Sequence, residues 1–281
     1  MNRERGAALI LVLMVTGVLG LLILQLGLTA RDQVERSQRL LDRARAELRW
    51  HTHEAELKFA LLTQPWVTGS SVATAGGIST RWRFDNQIFE VGGDVIRLQD
   101  VSGLMALPQG GGSMDEFEAL LVAVGVTPDR ARNAAVALQT RLSAPGSLPI
   151  QSVLEFRYLG LTDMEIEKVR AASTSYPSQS FNPSTAPKEV MIARYRSSSE
   201  QSALIALREQ GKLDASGFAA ALNTPVDDLT SFFVGPVFRW QIFVTEGVGG
   251  VSRERTWVVR PYDSQPLQLW ESRDLAIMDP T

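Results

Sequence analysis

Residues 1–33, MNRERGAALILVLMVTGVLGLLILQLGLTARDQ, decide the architecture of this chain. From Ala7 to Ala30 the stretch contains no charged residue. A helix of this length rises about 1.5 Å per residue and is roughly 36 Å long, which exceeds the hydrocarbon core of a bilayer, about 30 Å thick. The stretch therefore predicts a membrane-spanning helix.

The residues on either side of the span leave several interpretations open. Arg3 and Arg5 before the span favour a cytoplasmic N-terminus, and Arg31 just after it weakens that charge asymmetry. A cleaved secretory signal would have a shorter apolar region and a small-x-small cleavage site, which the sequence Leu28-Thr29-Ala30 provides poorly. An anchor that is never processed is a further alternative.

The leader is very short and charged, and it ends in Gly6 directly before the apolar run. This arrangement resembles the class III leader of type IV pilins and their secretion-system relatives. The resemblance implies that a prepilin peptidase cuts between Gly6 and Ala7 and methylates the new N-terminus. Most members of the family have Glu at the fifth mature position, where this chain has Leu11.

The missing Glu implies a particular place in a filament. A carboxylate in hydrocarbon is costly unless it meets a positive partner, which in pilin-like filaments is the N-terminal amine of the adjacent subunit. A subunit with nothing above it has no such amine to meet, so Leu11 fits a filament tip. Loss of the Glu is typical of the K-type minor pseudopilin of type II secretion systems.

The chain after Ala30 becomes polar but keeps a helical pattern up to Pro65. Spacings of three, four and seven residues predict one apolar stripe. The stripe consists of Val34, Leu41, Ala44, Leu48, Ala55, Phe59 and Leu62. We expect one helix from about Ala7 to Leu62, with Glu35–Arg39 and Glu54–Lys58 as ion pairs on its outside. Two helices with a break near Ala30 are the alternative.

The two histidines, His51 and His53, are both in this helix. Residues two apart do not face the same side of a helix, so a metal pair is not expected and solvated side chains are the simpler interpretation. Apolar residues spaced for packing could instead let the whole helix bundle with related helices. Gly17, Gly20 and Gly27 would allow close helix approach in the span.

Alternating apolar and polar residues predict strands at both ends of the remaining chain. The first pair runs from Trp82 to Leu98, after a Gly- and Ser-rich loop at residues 69–77. The last strands are expected in VFRWQIFVTEGVGGVSRERTWVVRPY, with a turn at Gly247 to Gly250, and in PLQLWESR.

Helical signals fill the region between these strands. Ser113 with Glu116 and Thr162 with Glu165 have capping-box spacing, and Pro128, Pro187 and Pro225 suit first helical turns. Helices are predicted at residues 113–124, 129–142, 151–158, 163–172, 187–195, 200–210, 214–222 and 226–232. A helical unit therefore interrupts a sheet.

Two segments of this helical region extend the resemblance to K-type pseudopilins. SFNPSTAPKEVMIARY is similar to the family segment Asn-x-Asn-Thr-Ala, with Asn182, Thr185 and Ala186 matching and Ser184 in place of the second Asn. LPIQSVLEFRYLGLTDMEIEKVR is similar to a second family stretch. Its matching positions are Glu155, Gly160 and Thr162.

Other segments depart from the family. An Asn-rich segment is replaced by Met105-Ala106-Leu107-Pro108, and an acidic Asp-Trp-x-Asp-x-Asp stretch by AVALQTRLSAPGS. Some relatives bind calcium in the helical unit through carboxylates. With that stretch missing, we expect no cofactor and no bound metal, calcium being the one candidate.

Composition excludes several other functions. The chain of 281 residues has no cysteine, so disulfides, thiol catalysis and cysteine metal sites are ruled out. A formal charge of −3 gives no general reason to expect nucleic acid. The helix-hairpin-helix pattern at residues 159–170 carries three acidic residues, which repel phosphate.

The remaining motifs favour structure over chemistry. The acidic groups Asp115, Glu116 and Glu118, and Asp227 with Asp228, lie near predicted helix starts, where carboxylates are stabilising. The three glycines at 110–112 lack the Lys-Ser/Thr of a phosphate loop. No catalytic constellation is present, so an enzyme is not expected.

The sequence predicts an α+β fold, in which a long pilin-like helix packs on an antiparallel sheet interrupted by a large all-α insertion. The expected divisions are a leader at 1–6, a transmembrane half-helix at 7–30, a periplasmic half-helix at 31–64, sheet segments at 65–100 and 234–281, and the insertion at 101–233.

The resemblance implies a minor pseudopilin at the tip of a type II secretion pseudopilus, in the inner membrane with its bulk in the periplasm. It would initiate filament assembly and support export of folded proteins. The implied partners are the I- and J-type minor pseudopilins, the major pseudopilin, the prepilin peptidase and the inner-membrane assembly platform. A minor pilin of a type IV pilus and an unprocessed, membrane-anchored binding protein are the alternatives.

Overall fold

One helix, α1 (Arg3–Thr63), forms the N-terminal part of the protein without interruption, so the alternative of a break near Ala30 is wrong. The computed structural model describes residues 3–67, 83–108, 113–148, 150, 152–176, 180–195, 197–247 and 249–275, with only the backbone at 3–12 and 249. In this described part, α1 is the one helix with the length and composition to cross a membrane.

Five antiparallel strands form a sheet behind the second half of α1. Their order is β1-β2-β5-β6-β7. The strands are β1 (Asp85–Val91), β2 (Asp94–Asp100), β5 (Val237–Glu246), β6 (Gly249–Val259) and β7 (Leu267–Asp274). The predicted strands are thus confirmed, except that Trp82 and the loop at 69–77 lie outside the described residues. The turn predicted at Gly247 to Gly250 is shorter than expected, because Gly249 and Gly250 already pair with β5 as part of β6.

The chain between β2 and β5 is mainly helical, although β2 and β5 are neighbours in the sheet with Asp100 paired to Phe238. Its helices are α2 (Met114–Ala123), α3 (Pro128–Leu142), α4 (Asp163–Ala172), α5 (Lys188–Arg194), α6 (Ser198–Glu209) and α7 (Ala215–Leu222). Two 3-10 helices occupy Val101–Gly103 and Val153–Leu159. A parallel pair of two-residue strands, β3 (Met105–Ala106) and β4 (Ser173–Thr174), adds a small β element to this part.

Two sequence predictions need correction here. The helix expected at 151–158 is a 3-10 helix, and no helix forms at 226–232. In the second segment, Leu229 O accepts from Phe181 N at 2.7 Å and Ser231 N donates to Phe181 O at 2.8 Å. Because a turn and these hydrogen bonds to a distant segment satisfy the backbone, the helix is not formed. Pro225, Asp227 and Asp228 therefore do not mark a helix start.

Alternation along β5 gives the sheet two different faces. Phe238, Trp240 and Ile242 point to one face, where they form a core with the buried residues of α1. Arg239 and Gln241 point to the other face, which is covered by the helical part. The sheet is thus a middle layer between α1 and the shorter helices, which have a second apolar core of their own.

The buried side of α1 centres on Trp50, which is fully buried. The guanidinium groups of Arg253 and Arg255 lie 5.1 and 4.5 Å from its ring centroid. We expect Trp50→Ala to lower the free energy of unfolding by about 3–5 kcal/mol, since it opens a cavity and removes both cation–π contacts. Urea unfolding of the full chain in detergent, followed by far-UV circular dichroism, measures this change.

Phe59→Ala is the matched control on the same helix, because the Phe59 side chain is largely exposed. Its expected effect on unfolding is below about 0.5 kcal/mol. Equal destabilisation by the two substitutions would contradict the orientation of α1 on the sheet.

Candidate assembly interface

The exposed surface of α1 is the first candidate for a functional surface. The described apolar side chains of the span are all exposed, including Leu13, Leu21 and Ile23. A Cβ built at Gly17, Gly20 or Gly27 would meet no other atom within 4 Å, so these glycines lie open on the helix surface. The part of α1 predicted to cross a membrane is therefore free on its described sides to contact lipid or other helices.

The predicted apolar stripe also lies on the surface. Val34, Leu41, Ala44, Leu48, Ala55 and Phe59 are exposed, and Leu62 is half-buried. At about 100° of rotation per residue, these positions lie on the side of α1 about 180° away from the buried set. That buried set consists of Asp42, Ala46, Trp50, His53, Glu54, Leu57, Ala60 and Leu61. Apart from Leu62, which packs against the core at the end of α1, the stripe is therefore not used inside the protein.

The side of α1 that packs on the sheet is held by charged groups that the sequence analysis missed. Glu47 accepts two hydrogen bonds from Arg253, at 2.7 and 2.8 Å, and Glu54 accepts two from Arg255, at 2.6 and 2.8 Å. Glu54 and Lys58 form the predicted ion pair, but the prediction that this pair lies on the outside of the protein is wrong. They are 3.2 Å apart, but Glu54 is buried against β6.

His53 also has a partner in the sheet. Its Nε2 lies 2.9 Å from Asp94 Oδ2, and both side chains are buried. Arg49 Nη2 lies 3.1 Å from the other carboxylate oxygen of Asp94. The interpretation of His53 as a solvated residue is therefore wrong, whereas His51 is exposed as expected.

The family-motif residues Asn182 and Thr185 meet a buried carboxylate. Asp100, at the end of β2, is fully buried and accepts from Thr185 Oγ1 at 3.0 Å and from Asn182 Nδ2 at 3.3 Å. Ser102 and the backbone N–H of Gly235 also donate to it. Burial raises the pKa of the Asp100 carboxyl, while the hydrogen bonds from Ser102, Gly235 and Thr185 act in the opposite direction.

This buried cluster, which we call the Asp100 joint, connects the sheet to the helical part where the chain leaves β2 and where it returns to β5. Asn182 Nδ2 also donates to Phe233 O at 3.1 Å, and Thr185 O accepts from Gln99 at 2.9 Å. A Cβ at Gly103 would lie 2.6 Å from Thr185, so glycine is needed for this close approach. Ala186, the third matching residue, is fully buried next to the joint.

A second joint lies on the face of the sheet opposite α1. Arg239 of β5 is buried and donates to the carbonyl oxygens of Arg170 at 2.6 Å and Ser173 at 3.2 Å, at the C-terminal end of α4. Arg170 in turn pairs with the buried Glu254. Burial lowers the pKa of Arg239, and the nearby Glu254 carboxylate opposes that effect.

The other motif positions order the segment before α4. Thr162 forms the predicted capping box, because its hydroxyl accepts from Glu165 N and the Glu165 carboxylate accepts from Thr162 N. Gly160 has φ +76°, which favours glycine, and its carbonyl accepts from Arg130 at 2.9 Å. Arg130 also donates a hydrogen bond to the Glu165 carboxylate, and this bond lowers the pKa of Glu165 to about 2. Glu155 accepts from Arg141 at 2.6 Å, which ties α3 to this segment.

The predictions for the N-terminus remain predictions. Gly6, Ala7 and Leu11 lie in the helical backbone of α1, but their side chains lie outside the described residues. The glycine run at 110–112 is outside them as well. Within the described part of the chain, no group of three or more His, Asp or Glu side chains is arranged to hold a metal ion.

Asn182 offers a direct test of the Asp100 joint. It is fully buried, so Asn182→Ala leaves Phe233 O without this donor and removes one donor from the Asp100 carboxylate. We expect a loss of about 2–4 kcal/mol in the free energy of unfolding, measured by urea in detergent. Asn133→Ala, at an exposed position of α3, should change it by less than about 0.5 kcal/mol. Similar values for both variants would argue against the joint.

The comparisons with known proteins agree with this architecture. No protein-family model matches the chain, and no curated protein matches it in sequence. Among solved structures, the chain matches a chain of the GspK-GspI-GspJ complex from the enterotoxigenic Escherichia coli type 2 secretion system. The TM-score is 0.53 at 15% identity, covering 88% of this chain and 99% of that one. The chain therefore has the predicted pilin-like α+β fold, which it shares with a chain of this complex.

Proposed function

We propose that this protein is a minor pseudopilin that assembles with related subunits through α1. The observation that carries the proposal is the exposed apolar stripe, which lies opposite the sheet-facing side of α1 and follows an apolar span. An apolar stripe of this length is costly in water and is stabilised by packing against other helices. The shared fold with a chain of the GspK-GspI-GspJ complex supports the same assignment.

The finer parts of the proposal follow from the resemblance. The subunit would be cut after Gly6 by a prepilin peptidase and methylated at Ala7, and it would keep α1 in the inner membrane with the remaining domain in the periplasm. Leu11 in place of Glu would suit a position at the filament tip. There the protein would initiate assembly with I- and J-type minor pseudopilins and the major pseudopilin on an inner-membrane platform, and support export across the outer membrane.

The mechanism in this proposal is packing rather than chemistry. The two buried joints hold the helical part, residues 101–233, firmly on the sheet, so that a bulky domain sits on a helix that packs into the filament. Such a domain would hinder the addition of a further subunit above it. No cofactor is required for this role, and we propose none, calcium included.

Association with partner subunits tests the proposal. Full-length protein is co-expressed with the I- and J-type pseudopilins of its host and the prepilin peptidase, then purified by a C-terminal tag. Leu41→Glu with Leu48→Glu places two charges on the stripe and should weaken co-purification of the partners at least about tenfold. Val136→Glu with Leu148→Glu is the matched control, because both residues are exposed apolar positions in the helical part.

Retention of both partners by the stripe variant would contradict assembly through this side of α1. Co-purification of type IV pilus components in place of the pseudopilins would instead favour a minor pilin.

Processing is tested by the intact mass and N-terminal sequence of the protein from membranes, with and without the peptidase. We expect a peptidase-dependent start at methylated Ala7, and Gly6→Val should block it. The variant Gly17→Val, whose substitution lies inside the span, is the control and should be cut normally. An unchanged Met1 in the wild type would favour a membrane-anchored protein that is never processed.

A further inference from the structure

Part of the sheet face opposite α1 is accessible to solvent. Ile88 of β1 pairs with Arg97 of β2, and Arg97 pairs with Gln241 of β5. Residues directly opposite each other on neighbouring strands point to the same face, so Ile88 and Arg97 share the face of Gln241. Phe243 is on this face as well, one row nearer the β5–β6 turn. Ile88 is 50% exposed, and the other three side chains are half-buried. We call these four residues the Arg97 patch.

The guanidinium group of Arg97 has no partner within the described part of the chain. Its Nε is buried without a hydrogen bond, and no described carboxylate forms an ion pair with the group. Glu90, an exposed residue on the same face and one row nearer the turn, does not pair with it either. Burial lowers the pKa of Arg97. The patch therefore contains a cation that is partly removed from water and is not neutralised.

Other arginines on this face bind the helical part. Arg239, one row further from the turn, donates to two carbonyl oxygens. Arg273, in the same row as Arg97, donates to Glu167 at 3.1 and 2.5 Å. Arg97 makes no such contact with the described helices. Burying a cation without its anion lowers stability, whereas two parallel hydrogen bonds to a carboxylate offset that cost. Binding of a carboxylate from another molecule would therefore stabilise Arg97 where it lies.

We propose that the Arg97 patch binds a protein segment in which an Asp or Glu side chain lies next to an apolar side chain. The carboxylate binds Arg97, and the apolar side chain packs on Ile88 and Phe243, which flank Arg97 on the neighbouring strands. Neighbouring strands are about 4.8 Å apart and diagonal residues about 7–8 Å, so one short segment contacts all three residues. Arginine and aromatic residues are also enriched at the centres of protein interfaces.

The position of the patch separates it from the surface proposed for assembly. The core between α1 and the sheet lies on the other face of the sheet, and the apolar stripe is on the far side of α1 from that core. The patch and the stripe are thus on opposite sides of the molecule, and both can be occupied at once. The inference therefore goes beyond the proposed function and does not depend on it.

The height of the patch above the membrane favours a protein over a lipid surface. His53 of α1 contacts Asp94, three residues before Arg97 on β2. Counted from Ala30, His53 lies roughly 35 Å along α1 beyond the span. The Debye length in physiological salt is about 8 Å, so the field of anionic lipids does not reach the patch. A protein carboxylate is therefore the anion that fits this place.

Photo-crosslinking in the native host tests the proposal. The full-length chain carries p-benzoylphenylalanine in place of Glu90, which is exposed beside the patch but is not part of it. We expect a cross-link to one partner protein, at a segment that contains Asp or Glu. Arg97→Glu should lower the cross-link yield at least about tenfold, because it replaces an attraction by a repulsion. The control Lys212→Glu reverses an exposed charge in the helical part and should change the yield less than about twofold.

The absence of a cross-link, or a yield that Arg97→Glu leaves unchanged, would overturn the proposal. When the yield falls in Arg97→Glu, replacing the partner's cross-linked Asp or Glu by Arg should restore it. A cross-linked segment without Asp or Glu, or a charge exchange that restores nothing, would contradict the proposed carboxylate.

The stripe variant separates this proposal from the assembly role. Leu41→Glu with Leu48→Glu alters the other side of the molecule, so it should keep the cross-link whether or not it loses the pseudopilins. Loss of the pseudopilins therefore concerns the proposed function alone. Loss of the cross-link in the stripe variant would identify the partner as a filament neighbour and overturn a separate site.

Urea unfolding of the full chain in detergent tests whether Arg97 has a structural role instead. Arg97→Met keeps the aliphatic packing and removes the unpaired charge, so the urea midpoint should stay unchanged or rise. Arg239→Met removes a buried cation that has partners, and it should lower the midpoint. A lower midpoint for Arg97→Met would assign Arg97 to the stability of the fold and overturn the proposal.

Discussion

The rotation of α1 about its own axis is the constraint on which the rest of this structure depends. Two ion pairs define it, because Glu47 and Glu54 are seven residues apart on α1 and their partners, Arg253 and Arg255, are two apart on β6. Buried ion pairs contribute modestly to net stability, but a wrong rotation would leave charges unpaired in a buried place. The ionic contacts therefore select one rotation, and that rotation places the apolar stripe outward.

This arrangement explains how a helix with apolar residues on both of its sides packs on the sheet in a single orientation. A helix with apolar residues on both sides could bind the sheet in two ways. Charged and aromatic groups on the sheet side, such as Trp50 between its two arginines, distinguish the sides by chemistry. The stripe can then serve the proposed assembly, because all its residues except Leu62 lie outside the core of the single subunit. Intramolecular contacts and the proposed intermolecular contacts thus use different sides of one helix.

The helical part is attached to the sheet by the same kind of interaction, both at the end of β2 and on the face opposite α1. Asp100 accepts hydrogen bonds from the chain segments that enter and leave the helical part, and Arg239 donates hydrogen bonds to carbonyl groups at the end of α4. Both groups are buried, so each must keep its partners to avoid a desolvation cost. This requirement fixes the helical part relative to the sheet, and through the sheet relative to α1. A displacement of α1 in a filament would accordingly carry the whole domain with it.

The sequence by itself determined the elements with a local physical signal. The apolar run predicted the membrane-spanning part of α1, and the capping box at Thr162 predicted the start of α4. The alternation of apolar and polar residues predicted the strands. Each of these signals depends only on residues that are near one another in the chain. The stripe on α1 was also visible, since seven-residue spacing is a local property.

Only the tertiary structure decided which side of α1 meets the sheet, that Glu54 and His53 are buried, and that residues 226–232 form a turn and a bridge to Phe181 instead of a helix. Each of these outcomes depends on a partner far away in sequence, namely Arg255, Asp94 and Phe181. The local sequence does not distinguish a charged helix residue that faces water from one that faces a buried ion of opposite charge. The pairing of distant segments is therefore known only from the structure.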